Sequence, residues 1–143
     1  MSAHGYPPVK VGLIGLGTVG GGVTRVLARN AEEISRRAGR EIVITHAAAR
    51  NLDTTTANTA GMKLTGEGLE VVDDPEVSII VELMGGHEPA RSLVLRALAN
   101  GKHVVTANKA LIARHGNEIF AAASAARMMV GFEAAVAGGI PII

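Results

Sequence analysis

The chain has 143 residues, 48% hydrophobic but only 2% aromatic, with no cysteine and a formal net charge of +1. That length suits one domain with its own core, and the scarcity of aromatics means the core must be aliphatic. The near-neutral charge argues against nucleic acid or an anionic membrane as the main partner, and the missing cysteines exclude disulfides, thiolate nucleophiles and thiolate metal sites.

In chain order, a first apolar strand is expected over residues 9–14, VKVGLI. It breaks into Gly15-x-Gly17-x-x-Gly20 and then into a helical pattern over residues 18–37, with Val19, Val23, Val26, Leu27 and Ile34 on one face. Gly39 is a plausible stop for that helix. Residues 41–48, EIVITHAA, read as a second strand. Residues 51–69 are polar and rich in Gly and Thr, and read as a loop with a short helix. Residues 69–72 read as a short strand, and Asp73, Asp74 and Pro75 as the start of a helical turn. Residues 78–83, SIIVEL, form a buried strand. Pro89 suits the first turn of a helix that reaches Asn100 and stops at Gly101. Residues 102–107 are a further strand, residues 109–127 a helix interrupted near Gly116, and residues 128–133 a sixth strand. Strands separated by helices imply an α/β fold: a doubly wound, mostly parallel sheet of Rossmann type with helices on both faces. No internal repeat or low-complexity tract interrupts it. No apolar run is long enough to span a bilayer, and the opening MSAHGYPP lacks the basic and apolar regions of a signal peptide, so a cytoplasmic location is expected.

The order strand, glycines, helix is what a dinucleotide pyrophosphate requires. Gly15 lets the chain turn sharply, Gly17 lets the backbone approach a diphosphate, and Gly20 lets the helix pack closely on the strand. The helix N-terminus then offers free N–H groups and a positive dipole end to the anion. In such sheets ligands sit beyond the carboxyl ends of the strands. That rule selects residues 16–19, Arg50, residues 84–87, residues 106–109 and the chain from Glu133 onward. Arg50 follows the second strand, where a carboxylate would bind the ribose 2′-hydroxyl of NAD and a basic residue suits the 2′-phosphate of NADP. The segment reads AAARN, and Asp53 comes three residues later, so NADP is favoured with NAD still open. Gly85 and Gly86 permit close approach by a flat ring or ribose. Thr106, Asn108 and Lys109 then offer a hydroxyl, an amide and a cation where cofactor and polar substrate would meet.

The segments GLIGLGTVGGGV, VELMGGHEPA, GKHVVTANKALIA and FEAAVAGGIPII occur in this order across nearly the whole chain. In them the sequence resembles homoserine dehydrogenase, and TANKAL and FEAAVAGGIPII are far more specific than the glycine motif. The resemblance implies NAD(P)-linked interconversion of L-homoserine and L-aspartate 4-semialdehyde, on the route to threonine, isoleucine and methionine. It implies that Leu16, Thr18 and Val19 line the cofactor pyrophosphate beside Gly15, Gly17 and Gly20. It places Arg50 near the adenosine ribose, Gly85 on the nicotinamide side, and Lys109 between cofactor and substrate as the catalytic positioning residue. It also implies that Glu133, with the backbone carbonyls of Val136, Gly138 and Ile140, holds a sodium ion, a hard cation suited to oxygen ligands. Ala135 stands where relatives usually carry Ser or Thr. The expected organisation is an NAD(P)-binding domain over residues 1–132 and the start of a hinge over residues 133–143. The substrate-binding and dimer-forming region of the family, with its proton-transfer lysine, would follow that point. The expected partners are therefore a small-molecule substrate and, for the full-length enzyme, further copies of itself. Sugar dehydrogenases of the glucose–fructose oxidoreductase type share an ALANGKHV-like approach but usually continue into Glu-Lys-Pro, where this chain has Thr106-Ala107-Asn108-Lys109. A non-catalytic nucleotide-binding module is the other alternative, and the DNA-binding segment or basic patch that would support it is absent from the sequence.

Overall fold

A computed structural model describes residues 5–53, 55 and 57–136. Six strands form one sheet: β1 (Val9–Ile14), β2 (Ile42–Ala48), β3 (Lys63–Thr65), β4 (Ile79–Glu82), β5 (His103–Thr106) and β6 (Val130–Gly131). Their order is β3-β2-β1-β4-β5-β6, and every pair is parallel. The chain starts in the middle, builds outward to β3, then returns to β4 on the other side of β1. This reversal sets the topological switch point between β1 and β4, where Ile14 pairs with Glu82.

Helices α1 (Thr18–Arg29) and α2 (Ala31–Ala38) pack on the β1–β2 half of one face, while α3 (Gly68–Asp73), α4 (Ala90–Ala99) and α5 (Lys109–Ala126) pack on the other. The larger core lies under α3–α5 and is wholly aliphatic: Val71, Val72, Ile80, Val94, Leu98, Val104, Leu111 and Ile119 are each no more than 1% exposed. The smaller core, Leu13, Leu16 and Ala47, lies on the α1 side.

Several local expectations are corrected. The first helical segment is two helices, because Asn30 turns back on the helix that precedes it. Its side-chain amide and its backbone N–H both donate to the Val26 carbonyl, at 3.1 and 3.0 Å. Such side-chain bonding competes with helix continuation. The buried stripe of α1 is Gly20, Gly21 and Thr24, while Val19 and Val26 stay more than half exposed. Gly20 seats the helix backbone against the Gly15 turn and Leu13 of β1, and Gly21 lies against Ala57, so glycines rather than valines are the covered positions.

Residues 69–72 are helical rather than extended, because Val71 and Val72 fill the space above β1. A Cβ on Gly12 would come within 2.5 Å of Val71 Cγ1. Helix α5 runs unbroken through Gly116, which is buried in it. One glycine costs about 1 kcal/mol against alanine, and the Ala-rich turns around it carry the helix through. The sixth strand shrinks to two residues, and Glu133 opens a 3-10 turn, η1 (Glu133–Ala135). The strand β3 was not foreseen, since three residues carry no periodicity.

Buried polar groups hold the far end of the sheet. His46 Nδ1 lies 2.8 Å from Asp74 Oδ2, and Lys102 Nζ donates to the carbonyls of Asp74 and Val77 at 2.6 and 2.7 Å. Burial pushes the Asp74 carboxyl up, but hydrogen bonds from the Glu76 N–H and His46 outweigh it and leave the group below its ordinary value. Burial lowers the Lys102 ammonium, with Asp74 and Asp73 opposing.

Candidate functional site

Two cavities open at the carboxyl ends of the strands. The first, about 530 Å³, lies across the switch point. It is lined by the β1–α1 turn, by Ala48–Asn51 after β2, by Gly66–Gly68 after β3, and by Leu83 and Met84 after β4. The three motif glycines each have a separate reason to be glycine. Gly15 has φ +104°, a conformation that L side chains rarely adopt, and a Cβ there would sit 2.9 Å from the Leu83 carbonyl. A Cβ on Gly20 would lie 2.0 Å from the Gly15 carbonyl oxygen, so the helix could not seat on the turn. Gly17 has an ordinary φ of −75° and open space where its Cβ would be. The fold does not need glycine at that position. The open space on the cleft side is what a diphosphate pressed against the backbone would fill.

Helix α1 begins here with no side-chain cap and no acidic residue in its first turn. Its leading N–H groups and dipole end therefore face the cleft without a competing anion on the helix itself. Leu16 is buried, and its carbonyl accepts the Thr55 hydroxyl at 3.0 Å, which folds the loop after β2 over the glycine turn. Thr18 and Val19 are exposed at the start of the helix. Arg50 is exposed on the rim of the cavity, with no hydrogen bond or ion pair among the described residues.

The second cavity, about 510 Å³, lies past β4 and β5 between Gly85, Gly86, residues 107–110 and Ala134–Ala135. Gly85 and Gly86 both have φ near +75°, so the backbone after Met84 bends away from the sheet in a way that suits glycine. Lys109 is exposed as the first residue of α5 and also has no partner among the described residues. A cation at a helix N-terminus opposes the helix dipole, so the fold gains nothing from a lysine there.

A hydrogen-bonded chain that the sequence reading missed braces this second cavity. Glu82 is fully buried at the end of β4. Its Oε1 accepts the Met84 N–H at 2.9 Å, and its Oε2 accepts the Thr106 hydroxyl at 2.7 Å. Thr106 Oγ1 accepts the Asn108 N–H at 3.0 Å. The Asn108 amide donates to the Gly86 carbonyl at 2.7 Å, and its oxygen accepts the Leu111 N–H at 3.1 Å. Thr106 is therefore 0% exposed and committed within the protein, where the sequence reading had it facing the cofactor. Asn108 caps α5 and ties it to the Gly85–Gly86 turn. The available signal was a lone carboxylate in the apolar strand SIIVEL, which buries such a group only with partners.

Among the four residues assigned to a cation, Glu133 and Val136 are exposed in and after the 3-10 turn, and Gly138 and Ile140 lie outside the described residues. The Glu133 carboxylate has no hydrogen bond or ion pair among the described residues. No helix is long and apolar enough to cross a membrane among those residues.

An all-parallel doubly wound sheet with a glycine turn at its switch point defines a dinucleotide-binding domain. The family model of the homoserine dehydrogenase NAD-binding domain matches residues 15–133, and the chain belongs to that family. It is 58% identical to the homoserine dehydrogenase of Pseudomonas aeruginosa over 136 residues, covering 95% of this chain and 31% of the relative. The corresponding enzyme of Neisseria gonorrhoeae is 51% identical over the same shares. A crystal structure of a homoserine dehydrogenase from Thiobacillus denitrificans superposes with a TM-score of 0.90 at 67% identity, over 95% of this chain and 32% of that one. The chain spans about a third of the length of the relatives it matches.

Proposed function

We propose that this chain is the cofactor-binding part of an NAD(P)-dependent oxidoreductase that interconverts L-homoserine and L-aspartate 4-semialdehyde in threonine, methionine and isoleucine biosynthesis in the cytoplasm. The observation that carries the reading is the glycine turn. Gly15 and Gly20 are demanded by the fold, whereas Gly17 is open toward the cleft, where only a ligand has a use for it. In the proposed pose the pyrophosphate lies against residues 15–20 and the α1 N-terminus. The adenosine end passes Arg50, whose guanidinium pairs a 2′-phosphate, and the nicotinamide end reaches Gly85. When bound, the nicotinamide ring supplies the hydride chemistry, accepting hydride from the carbinol carbon or returning it.

The chain's own residues then bind and orient. Lys109, unpaired at the edge of the second cavity, attracts and positions the substrate oxygen, while the chain from Glu82 to Asn108 holds the turn that faces it. The remaining substrate contacts and the proton-transfer group belong to the portion of the relatives that this chain does not span. Residues 1–132 are proposed as the nucleotide-binding domain, and residues 133–143 as the beginning of a hinge to a substrate and dimerisation domain. Glu133 and the Val136 carbonyl suit a sodium ion by donor chemistry, a carboxylate and a carbonyl being hard oxygen ligands.

Resonance-by-resonance titration of this polypeptide with NADP tests the reading. Perturbations are expected over residues 15–20, 48–51, 83–86 and 106–109, with no NADPH formed from homoserine by this polypeptide alone. Perturbations confined to other surfaces, or homoserine turnover, would contradict it.

A further inference from the structure

The cleft holds a second free charge besides Arg50, and it has the opposite sign. Strands β2 and β3 are parallel neighbours, with Ala48 paired to Thr65. Arg50 and Glu67 each lie two residues beyond that pair, so they leave adjacent strands at matching positions, and strands in a sheet run about 4.8 Å apart. Both residues line the first cavity. Both are exposed, and no ion pair joins them. Glu67 occupies the N-cap position of α3, yet its side chain makes no cap hydrogen bond. Its backbone N–H is satisfied by Thr65 Oγ1 at 3.1 Å. Among the described residues the carboxylate is thus used neither by the helix nor by a salt bridge. Asp53, the acidic residue nearest to Arg50 in sequence, is not among the groups lining the cleft, and Asn51 uses its side-chain oxygen on the Asp53 N–H at 3.1 Å.

In dinucleotide-binding sheets a carboxylate accepts the ribose 2′-hydroxyl of NAD, whereas a guanidinium pairs the 2′-phosphate of NADP. Here the end of β2 supplies only the guanidinium, and the end of the neighbouring strand supplies the carboxylate. Resting on the pose proposed above, we propose that Glu67 is a specificity-determining residue that sets coenzyme choice against Arg50. With NAD bound it accepts the 2′-hydroxyl. With NADP bound it stands as a like charge beside the 2′-phosphate that Arg50 attracts. The two residues together keep either coenzyme acceptable, and each alone would tilt the choice.

Calorimetric titration of the chain, of Glu67→Gln and of Arg50→Ala, each with NAD and with NADP, tests this. Glu67→Gln removes the charge, and the exposed Glu67 side chain makes no hydrogen bond among the described residues whose loss would unfold the protein. It is expected to raise the NADP-to-NAD affinity ratio at least about tenfold, the lower end of the scale of one charged hydrogen bond gained or lost. Arg50→Ala is expected to lower the ratio. Glu67→Lys should move it the same way as Glu67→Gln and further. An unchanged ratio in both Glu67 variants, with Arg50→Ala still lowering it, overturns the role of Glu67 and leaves the cofactor pose intact. No binding of either nucleotide to the unaltered chain overturns the pose and this inference with it.

Discussion

Individual residues in this chain do unlike work under similar letters. Three glycines of one motif answer to three different constraints: backbone conformation at Gly15, contact with a carbonyl oxygen at Gly20, and open space at Gly17. Two polar groups that look available for chemistry, Thr106 and Asn108, are consumed in bracing the second cavity, while Arg50, Glu67 and Lys109 have no ion pair among the described residues around the clefts. The sequence displays residue type and order, so it conveys the glycine turn and the basic residue after β2. It does not display which hydroxyl has a buried partner. Glu82 makes the point. Replacing it with alanine leaves the Met84 N–H and the Thr106 hydroxyl without their acceptors inside the protein. Glu82→Ala is expected to cost about 2–4 kcal/mol of stability, from two orphaned donors and an emptied site, as read by chemical denaturation. A loss below about 0.5 kcal/mol, the size of an ordinary surface change, would contradict the bracing role.

At the scale of elements, long periodic segments were legible and short ones were not. β1, β2, β4, β5 and the bodies of α4 and α5 stand where pattern and punctuation put them, and Gly39 ends α2 in the left-handed conformation with φ +74°. The failures have specific causes: a side-chain bond at Asn30, a glycine stripe outranking a valine stripe in α1, and tertiary packing of Val71 over Gly12 that makes β-branched residues helical. Elements are also joined at their surfaces by charge. Arg91 on α4 pairs with Glu118 on α5 and with Glu88, and Arg96 on α4 pairs with Asp73 at the end of α3. The hydrogen bond from Arg91 holds Glu118 below the ordinary carboxylate range, and that from Arg96 does the same for Asp73. Folded-state values below the unfolded ones mean that these groups stabilise the fold above the unfolded carboxylate range. That contribution is lost as pH falls through the folded values, below about pH 4. Thermal melts between pH 7 and pH 3 should therefore fall on the acid side, and Arg91→Ala should flatten part of that fall. An Arg91→Ala protein with the parent's full acid dependence would show that the α4–α5 pair contributes nothing.

For the whole molecule, the two faces of the sheet are unequally covered. Helices α3–α5 span one face, but α1 and α2 cover only the β1–β2 half of the other. Apolar side chains stay exposed around the β5–β6 edge: Val105 at 41%, Met129 at 74%, Phe132 at 36% and Val136 at 51%. Grouped exposed apolar side chains of this kind mark an interaction surface. In solution this polypeptide is expected to self-associate, its sedimentation mass rising with concentration, and Val105→Glu with Met129→Glu should suppress the rise. A parent chain that stays monomeric across the concentration range would contradict that use of the edge. The site itself is an outcome of the whole topology, because the switch between β1 and β4 opens the cleft and the crossover order places the glycine turn, Arg50 and the Gly85–Lys109 cavity along one rim. The most direct test of that arrangement is a calorimetric titration of NADP into the parent chain and into Gly17→Ala, with a thermal melt of each. Alanine meets no atom at that position, so the two proteins should melt alike, within about 1 kcal/mol of stability, while the variant loses at least about tenfold in NADP affinity. Equal NADP affinity in the two proteins would contradict the account, as would a parent chain that binds no nucleotide.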